Sequence, residues 1–367
     1  MNDVVSIAAR FQPATQGIAS AEPYGSGNIN DTFLVQLGGE GPAEFILQRI
    51  NQRVFTRPHL IMANLRVVMR HVTAKAAALP GDARWQLPSI VPTLDGEDYY
   101  VDEEGGFWRA LTFIEAARTY PKINDSRHAA EAGYALGRFQ EQISDLDVAL
   151  LHDTLPGFHI MPTYLCRYDN VLHTSAVDLN APEIRYGIDF VAARRAWAPV
   201  LQNACKAGML AERPMHGDPK IDNIMIDDVS GRAVSIIDLD TVKPGLVQYD
   251  IGDCLRSCCN PLGEDAEAID QVTFEPDLCE TILKGYLPQV RTFYTAHDYA
   301  LLFDSVRVLA FEMGLRFFTD HLAGDVYFKV RYRGHNLMRA LVQFRLMESI
   351  EAQEPAIRRM IASLCEV

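Results

Sequence analysis

The segment His216-Gly-Asp218-Pro-Lys220-Ile-Asp-Asn223, followed by Ile237-Asp238-Leu-Asp240, constrains this chain more than any other stretch. Its order, His-x-Asp, four residues, then Asn, is the spacing of a loop that carries out phosphoryl transfer. An Asp in that position accepts a proton from a hydroxyl, the Asn offers a metal ligand, and a second Asp bridges metal and nucleotide phosphates. Between the two motifs, residues 224–237 read as two short apolar strands about a Gly231 turn. Such a hairpin returns Asp238 to the neighbourhood of Asn223. A lone Asp after a strand is usually a turn residue or helix cap. Four polar residues in this order, joined by a hairpin of this length, call for a site.

With 367 residues the chain is long enough for two lobes with separate cores. Its formal net charge of −14 leaves no basic excess to meet a nucleic acid, so none is expected as partner. The same charge does not exclude a nucleotide, because a local site containing a divalent cation handles the phosphates. Seven cysteines with no CxxC pair read as free thiols in a reducing compartment. Neither a secretory signal nor a run of 18 apolar residues is present, so a cytoplasmic protein without membrane contact is expected.

Residues 1–115 read as a small β-rich lobe with one helix. Strands are expected at 31–37, 44–48, 90–91, 99–101 and 108–114, and a helix from Pro58 to about Ala78. A hinge falls near 112–118, and from Arg127 onward helical patterns dominate. They cover 128–143, 183–208, 275–287, 297–322 and 335–365. Residues 116–367 thus form a larger helical lobe that carries the hairpin, giving an α+β fold of two lobes with the motif facing the cleft.

The turn Tyr24-Gly25-Ser-Gly27-Asn28-Ile-Asn30 opens the β-rich lobe. Gly25 and Gly27 let backbone approach phosphate oxygens, and Asn28 and Asn30 tolerate left-handed geometry. No Gly-Lys-Ser/Thr occurs in the chain, so this is not a Walker loop. A protein kinase places Lys at the end of the next strand, where this chain has Gln48. The helix that should supply the Glu partner, 56–78, contains no Glu. Both halves of the ion pair are missing together. Gln48 still offers uncharged hydrogen bonds to phosphate, while strand alternation aims Arg49 at the other face.

With these residues in hand, the chain resembles the aminoglycoside phosphotransferase and choline kinase superfamily, whose fold is protein-kinase-like, and within it most closely the N-acetylhexosamine 1-kinases. Besides the catalytic run, the resemblance lies in 24–35, 45–51, 237–245, 249–256 and 314–328, which together reach almost the whole length. It implies ATP and Mg²⁺ as cofactors, Asp218 as the base, Asn223 and Asp238 as metal ligands, and Lys220 near the transferred group. Asp240 is a weaker metal candidate, His216 an anchor, and Asp250 and Asp253 braces of the loop. Main-chain groups from Phe113 to Glu115 are placed at adenine. Arg316 and Tyr327 are placed at a sugar, with Asp325 as a further candidate and His335 and Asn336 as interhelical contacts. Read from the residues alone, Arg316 serves equally as the ion-pair partner of Glu312. Other acceptors of the superfamily, an amino alcohol, amino acid or aminoglycoside, form the alternative. A catalytically silent nucleotide-binding protein is the reading that the missing Lys–Glu pair suggests.

Overall fold

The structure is a computed structural model that describes residues 4–11, 17–25, 29–39, 44–78 and 84–365. Gly27 and Asn28 lie outside the described residues.

A short helix α1 (Val4–Ala8) precedes β1 (Ile18–Pro23), β2 (Asp31–Leu37) and β3 (Glu44–Arg49), and then comes α2 (Pro58–Ala78). Strands β4 (Ile90–Val91), β5 (Tyr100–Val101) and β6 (Phe107–Thr112) complete an antiparallel sheet in the order β1-β2-β3-β6-β4, with β5 also paired to β6. Alternation decides what each face does. Val35, Phe45, Leu47, Trp108 and Ala110 point to one side and pack with Ile7, Ala8 and Phe11. Their neighbours Thr32, Ile46, Gln48, Arg109 and Leu111 point to the other and line a cleft. Arg49 goes to the core side, its guanidinium 5.8 Å from the Trp108 ring, as its position in the strand requires.

The rest of the chain is mostly helical. Strand β7 (Ala117–Arg118) leads to α3 (Ser126–Ile143), whose first turn is capped by the Asp125 side chain accepting from the His128 N–H. Helices α4 (Met161–Thr174), α5 (Pro182–Arg194) and α6 (Val200–Lys206) follow. Next come β8 (Arg213–Met215), β9 (Ile224–Asp227), β10 (Ala233–Ile236) and β11 (Lys243–Gly245), then α7 (Val247–Cys258). Last are α8 (Pro276–Val290), α9 (Ala296–Ala300), α10 (Leu302–Leu322), α11 (His335–Ala352) and α12 (Glu354–Cys365). Helix α10 is buried along nearly its whole length and apolar on most sides, the pattern of a central core helix. Backbones approach closely where α3 meets α8: a methyl group on Gly133 would fall 1.9 Å from the Ile282 carbonyl oxygen.

Three of the long helices expected from periodicity are each two helices. The stretch 183–208 breaks into α5 and α6 around Pro199, which has no N–H to continue a helix. The stretch 297–322 divides at Leu301, and 335–365 divides at Gln353, just ahead of Pro355. Apolar spacing continues through such breaks, because both pieces face the same core. Helices α1, α4 and α7 fall outside the stretches that periodicity marks.

The small sheet and the helical region are joined by more than a hinge. Asn64 of α2 donates to the carbonyls of both His152 and Val242 at 2.8 Å and accepts from the His152 N–H. The lobe boundary expected at residue 115 falls between β6 and β7.

Candidate active site

Strand β8 pairs antiparallel with β11, Met215 opposite Lys243, and this closes the base of the segment 216–242. Inside it, β9 and β10 form the expected antiparallel hairpin, with Ile236 opposite Ile224. The Ile237 N–H then donates to the Asn223 carbonyl at 2.8 Å, so Asp238 emerges beside Asn223. Asp238 takes left-handed backbone geometry, φ 62°, which a short polar side chain tolerates better than a bulky one.

The loop before Asp218 is held from below. Asp250 of α7, fully buried, accepts from the N–H groups of His216 and Gly217 at 2.8 Å each and from Gln140 at 2.9 Å. His216, also fully buried, faces the Ile237 carbonyl with Nε2 at 3.0 Å, while its Nδ1 accepts from the Asp218 N–H at 3.3 Å. One donor and one acceptor describe a neutral ring, and burial pushes its pKa down. Gly217 has φ 90° with Thr241 against it, where a Cβ would come within 2.9 Å of the Thr241 carbonyl oxygen.

Above this brace the polar groups converge. Lys220 Nζ stands 3.1 Å from Asp218 Oδ2. Asn223 donates its amide N–H to the Asp218 carbonyl at 2.7 Å, which leaves Oδ1 without a donor among the described residues. The Asp238 side chain opens into the cleft, yet the protein around it and repulsion from Asp240 and Asp218 push its carboxyl up to about 7, against the pull of Lys220 and Arg109. Burial works against the Lys220 charge, but Asp218, Asp222 and Asp238 outweigh it and hold its pKa above the usual value.

All of these groups border one cavity of about 240 Å³, together with Gly25, Asn30, Gln48 and Phe113. Its inner end is apolar, bounded by Ile46, Leu111, Met225 and Ile237. Glu115 is not among its lining residues, and the Glu115 carbonyl accepts instead from Arg84 Nη2 at 2.6 Å. Asn30 contributes less as a free group than as a strut: it donates to Asp240 Oδ2 at 2.8 Å and accepts from the Asn51 N–H at 3.0 Å.

Sequence reasoning missed Arg109. This buried residue of β6 places Nη1 2.6 Å from Asp240 Oδ1, an ion pair whose N–H does not line up as a hydrogen bond, and both side chains are almost fully buried. Its Nε and Nη2 donate to Gln48 Oε1 at 3.0 and 2.7 Å, and Gln48 in turn donates to Thr32 Oγ1 at 3.0 Å. The cation absent at position 48 is therefore present one strand away, with Gln48 as its acceptor. Asp240 also borders the cavity, ion-paired with Arg109 and accepting from Asn30. Asp253, expected beside Asp250 as a brace, pairs with Arg256 at 2.8 Å instead.

A second cavity, about 260 Å³, lies between Arg53 and Val54 on one side and Phe158, Tyr164, Arg167, Arg316, Tyr327 and Phe328 on the other. Arg316 sits among three rings, 5.4 to 5.5 Å from Phe158, Tyr164 and Phe328. Its nearest carboxylate oxygen, Glu312 Oε1, is 3.9 Å away. The wall carrying Tyr327 is shaped by Asp320, whose carboxylate accepts from the N–H groups of Val326, Tyr327 and Phe328 and from Asn336. Asp325 is not among the lining residues, and its Oδ1 accepts from Asn336 at 2.9 Å. His335 reaches Asp265 at 3.1 Å.

The sequence profile of the phosphotransferase enzyme family known as APH matches residues 20–280, which covers more than half of the chain and the whole of the first cavity's motifs. The chain belongs to this family. It is accordingly a phosphotransferase of the small-molecule kinase kind, and the reading as a silent binding protein gives way. Solved structures share its fold. An aminoglycoside phosphotransferase from Alicyclobacillus acidocaldarius superposes with a TM-score of 0.66 at 12% identity, covering 98% of this chain and 96% of that one. The aminoglycoside 2'-phosphotransferase-IIIa, in its GDP complex, gives 0.60 at 13% over 96% and 100%. A choline kinase from Cryptosporidium parvum gives 0.59 at 11% over 98% of both chains. At such identities the likeness is one of fold, the expected kinase-like arrangement of a small antiparallel sheet and a helical region. No helix among the described residues is long and apolar enough to cross a membrane.

Proposed function

We propose that this phosphotransferase moves the γ-phosphoryl group of ATP to the anomeric hydroxyl of an N-acetylhexosamine or a related sugar. The observation that carries the acceptor class is the charge of the second cavity. Arg53, Arg167 and Arg316 line it, and Asp320, the one acid among the described lining residues, is consumed by three backbone amides and Asn336. A cationic acceptor such as an amino alcohol or aminoglycoside has no carboxylate to meet there, whereas hydroxyl and acetamido oxygens accept from guanidinium groups.

In this reading Asp218 orients the acceptor hydroxyl and takes its proton, and Lys220 steadies the transferred group from the same edge. Gly25 covers the phosphates, and Arg109, held by Gln48 and Asp240, stands at the cleft floor. Main chain near Phe113 meets the adenine, whose faces lie against Ile46, Leu111 and Ile237. Asn223 and Asp238 fit a Mg²⁺ ion: both offer hard oxygen donors with no donor bonded to them among the described residues. Two protein ligands suffice when phosphate oxygens and water complete the shell. The ion supplies charge neutralisation along the phosphates when bound. Arg316 and Tyr327 hold the sugar.

The test is Mg²⁺-dependent ADP release from ATP with N-acetylglucosamine, N-acetylgalactosamine, glucose, choline and an aminoglycoside. Turnover with an N-acetylhexosamine is expected. Turnover confined to choline or the aminoglycoside would overturn the acceptor assignment and leave the phosphotransferase intact.

A further inference from the structure

One buried pair, outside the groups already given roles, ties the two cavities together. His159 is 3% exposed and sits with φ 60° at the entrance to α4. Its Nδ1 lies 2.8 Å from Glu312 Oε1, and its Nε2 lies 2.9 Å from the Gly217 carbonyl oxygen. A carboxylate and a carbonyl both accept and neither donates. A neutral imidazole has one N–H and satisfies only one of them, while an imidazolium satisfies both. Glu312 is itself fully buried, so its carboxylate has the counter-charge that a buried ion needs.

The remaining surroundings agree. Burial alone would push the ring's pKa down, but Glu312, with help from the Gly217 carbonyl and Asp253 of α7, outweighs it and raises the value. Asp253 is already paired with Arg256, and Arg316 of α10 stands beyond Glu312 at 3.9 Å. The ring stacks on Tyr249 with centroids 5.1 Å apart, the His159 N–H donates to the Tyr164 hydroxyl at 3.2 Å, and Gln202 donates to the His159 carbonyl at 2.9 Å.

Gly217 O and Asp218 N belong to the same peptide unit. His159 holds its oxygen, and His216 Nδ1 accepts from its N–H on the other side. The two rings thus hold both ends of the peptide plane from which the Asp218 side chain departs.

We propose that His159 is a permanently protonated positioning residue, an imidazolium that sets the Gly217–Asp218 peptide from the acceptor side and neutralises Glu312 so that the Arg316 charge faces the second cavity. The inference rests on reading the two cavities as reaction and acceptor sites, and it adds a rigid connection between them.

Histidine-ring nitrogen NMR on the whole protein tests the charge directly, without any acceptor. From about pH 6 to about pH 9, one ring should keep both nitrogens protonated, where an ordinary histidine loses a proton. That signal should vanish in His159→Phe, which retains the ring stack. In the same variant, kcat for ATP turnover, basal or with N-acetylglucosamine, should fall on the order of 10²-fold, with ATP affinity changed less than about threefold. The single variant Glu312→Gln, with His159 in place, should retain most of kcat, because its amide donates to Nδ1 and leaves the Nε2 proton on the Gly217 carbonyl. A neutral His159 at pH 7, or wild-type kcat in His159→Phe, would overturn the proposal. Should no N-acetylhexosamine turn over, the sugar assignment falls, while the ring spectrum and basal hydrolysis still judge His159. Should His159→Phe not fold, the wild-type ring spectrum and Glu312→Gln decide.

Discussion

Gln48 and Arg109 stand opposite each other where β3 pairs with β6, and the Gln48 side-chain oxygen accepts two hydrogen bonds from the Arg109 guanidinium. The third arm of that guanidinium meets Asp240 at 2.6 Å. A Lys introduced at position 48 would therefore face a guanidinium, not an empty anion site. Gln48→Lys is predicted to destabilise the protein by about 1–3 kcal/mol and to lower turnover, because it removes the acceptor and adds a like charge. Arg109→Met, which strands Asp240, should cost about 3–5 kcal/mol. Urea unfolding of both variants checks this, and a Gln48→Lys protein of wild-type stability would contradict the assignment.

Gly217 carries a left-handed backbone pressed against Thr241. Gly217→Ala must shift the loop or Thr241, and the displaced Asp218 should lower kcat on the order of 10²-fold, with ATP affinity nearly unchanged. Single-turnover kinetics and ATP titration separate the two effects.

His216 gives the stability a sign in pH. Its native pKa is lowered, so below the ordinary histidine value of about 6.5 the unfolded chain holds a proton that the native ring refuses. The unfolded state then binds more protons, and native stability falls as pH falls through that range, with a slope of up to about 1.4 kcal/mol per pH unit. Denaturation midpoints at neutral and mildly acidic pH should show the decline, and His216→Asn should lose this part of it.

Arg316 has no hydrogen-bonded carboxylate among the described residues and borders the second cavity. Arg316→Gln is expected to lower kcat/KM for the acceptor about 10- to 100-fold, with KM for ATP unchanged. Asp320→Asn, which loosens the amides of 326–328, should do the same indirectly and also lower the melting temperature. Steady-state kinetics with each substrate varied in turn distinguish these outcomes.

Much of the site was legible in the chain because its parts are local. The spacing from His216 to Asn223 and the hairpin that returns Asp238 lie within 25 residues, and apolar alternation fixes which side of β3 and β6 faces the cleft. Gln48 read as a deficit because its partner depends on strand register: nothing in Trp108-Arg109-Ala110 says that Arg109 will sit opposite Gln48. His159 was invisible for a similar reason, since Glu312 and Gly217 lie 153 and 58 residues away. The breaks at Pro199, Leu301 and Gln353 were missed because periodicity registers a shared core, and both halves of a broken helix face the same one.

The central claim is phosphoryl transfer from ATP to the anomeric oxygen, with Asp218 as base. The most direct measurement is a proton–phosphorus correlation spectrum of the product formed from ATP, Mg²⁺ and N-acetylglucosamine or N-acetylgalactosamine, with Asp218→Asn run beside the wild type. The account predicts a phosphorus coupled to the anomeric proton, formed about 10²- to 10⁴-fold more slowly by the variant. A phosphorus coupled to any other position, or product formed equally fast by Asp218→Asn, would contradict it.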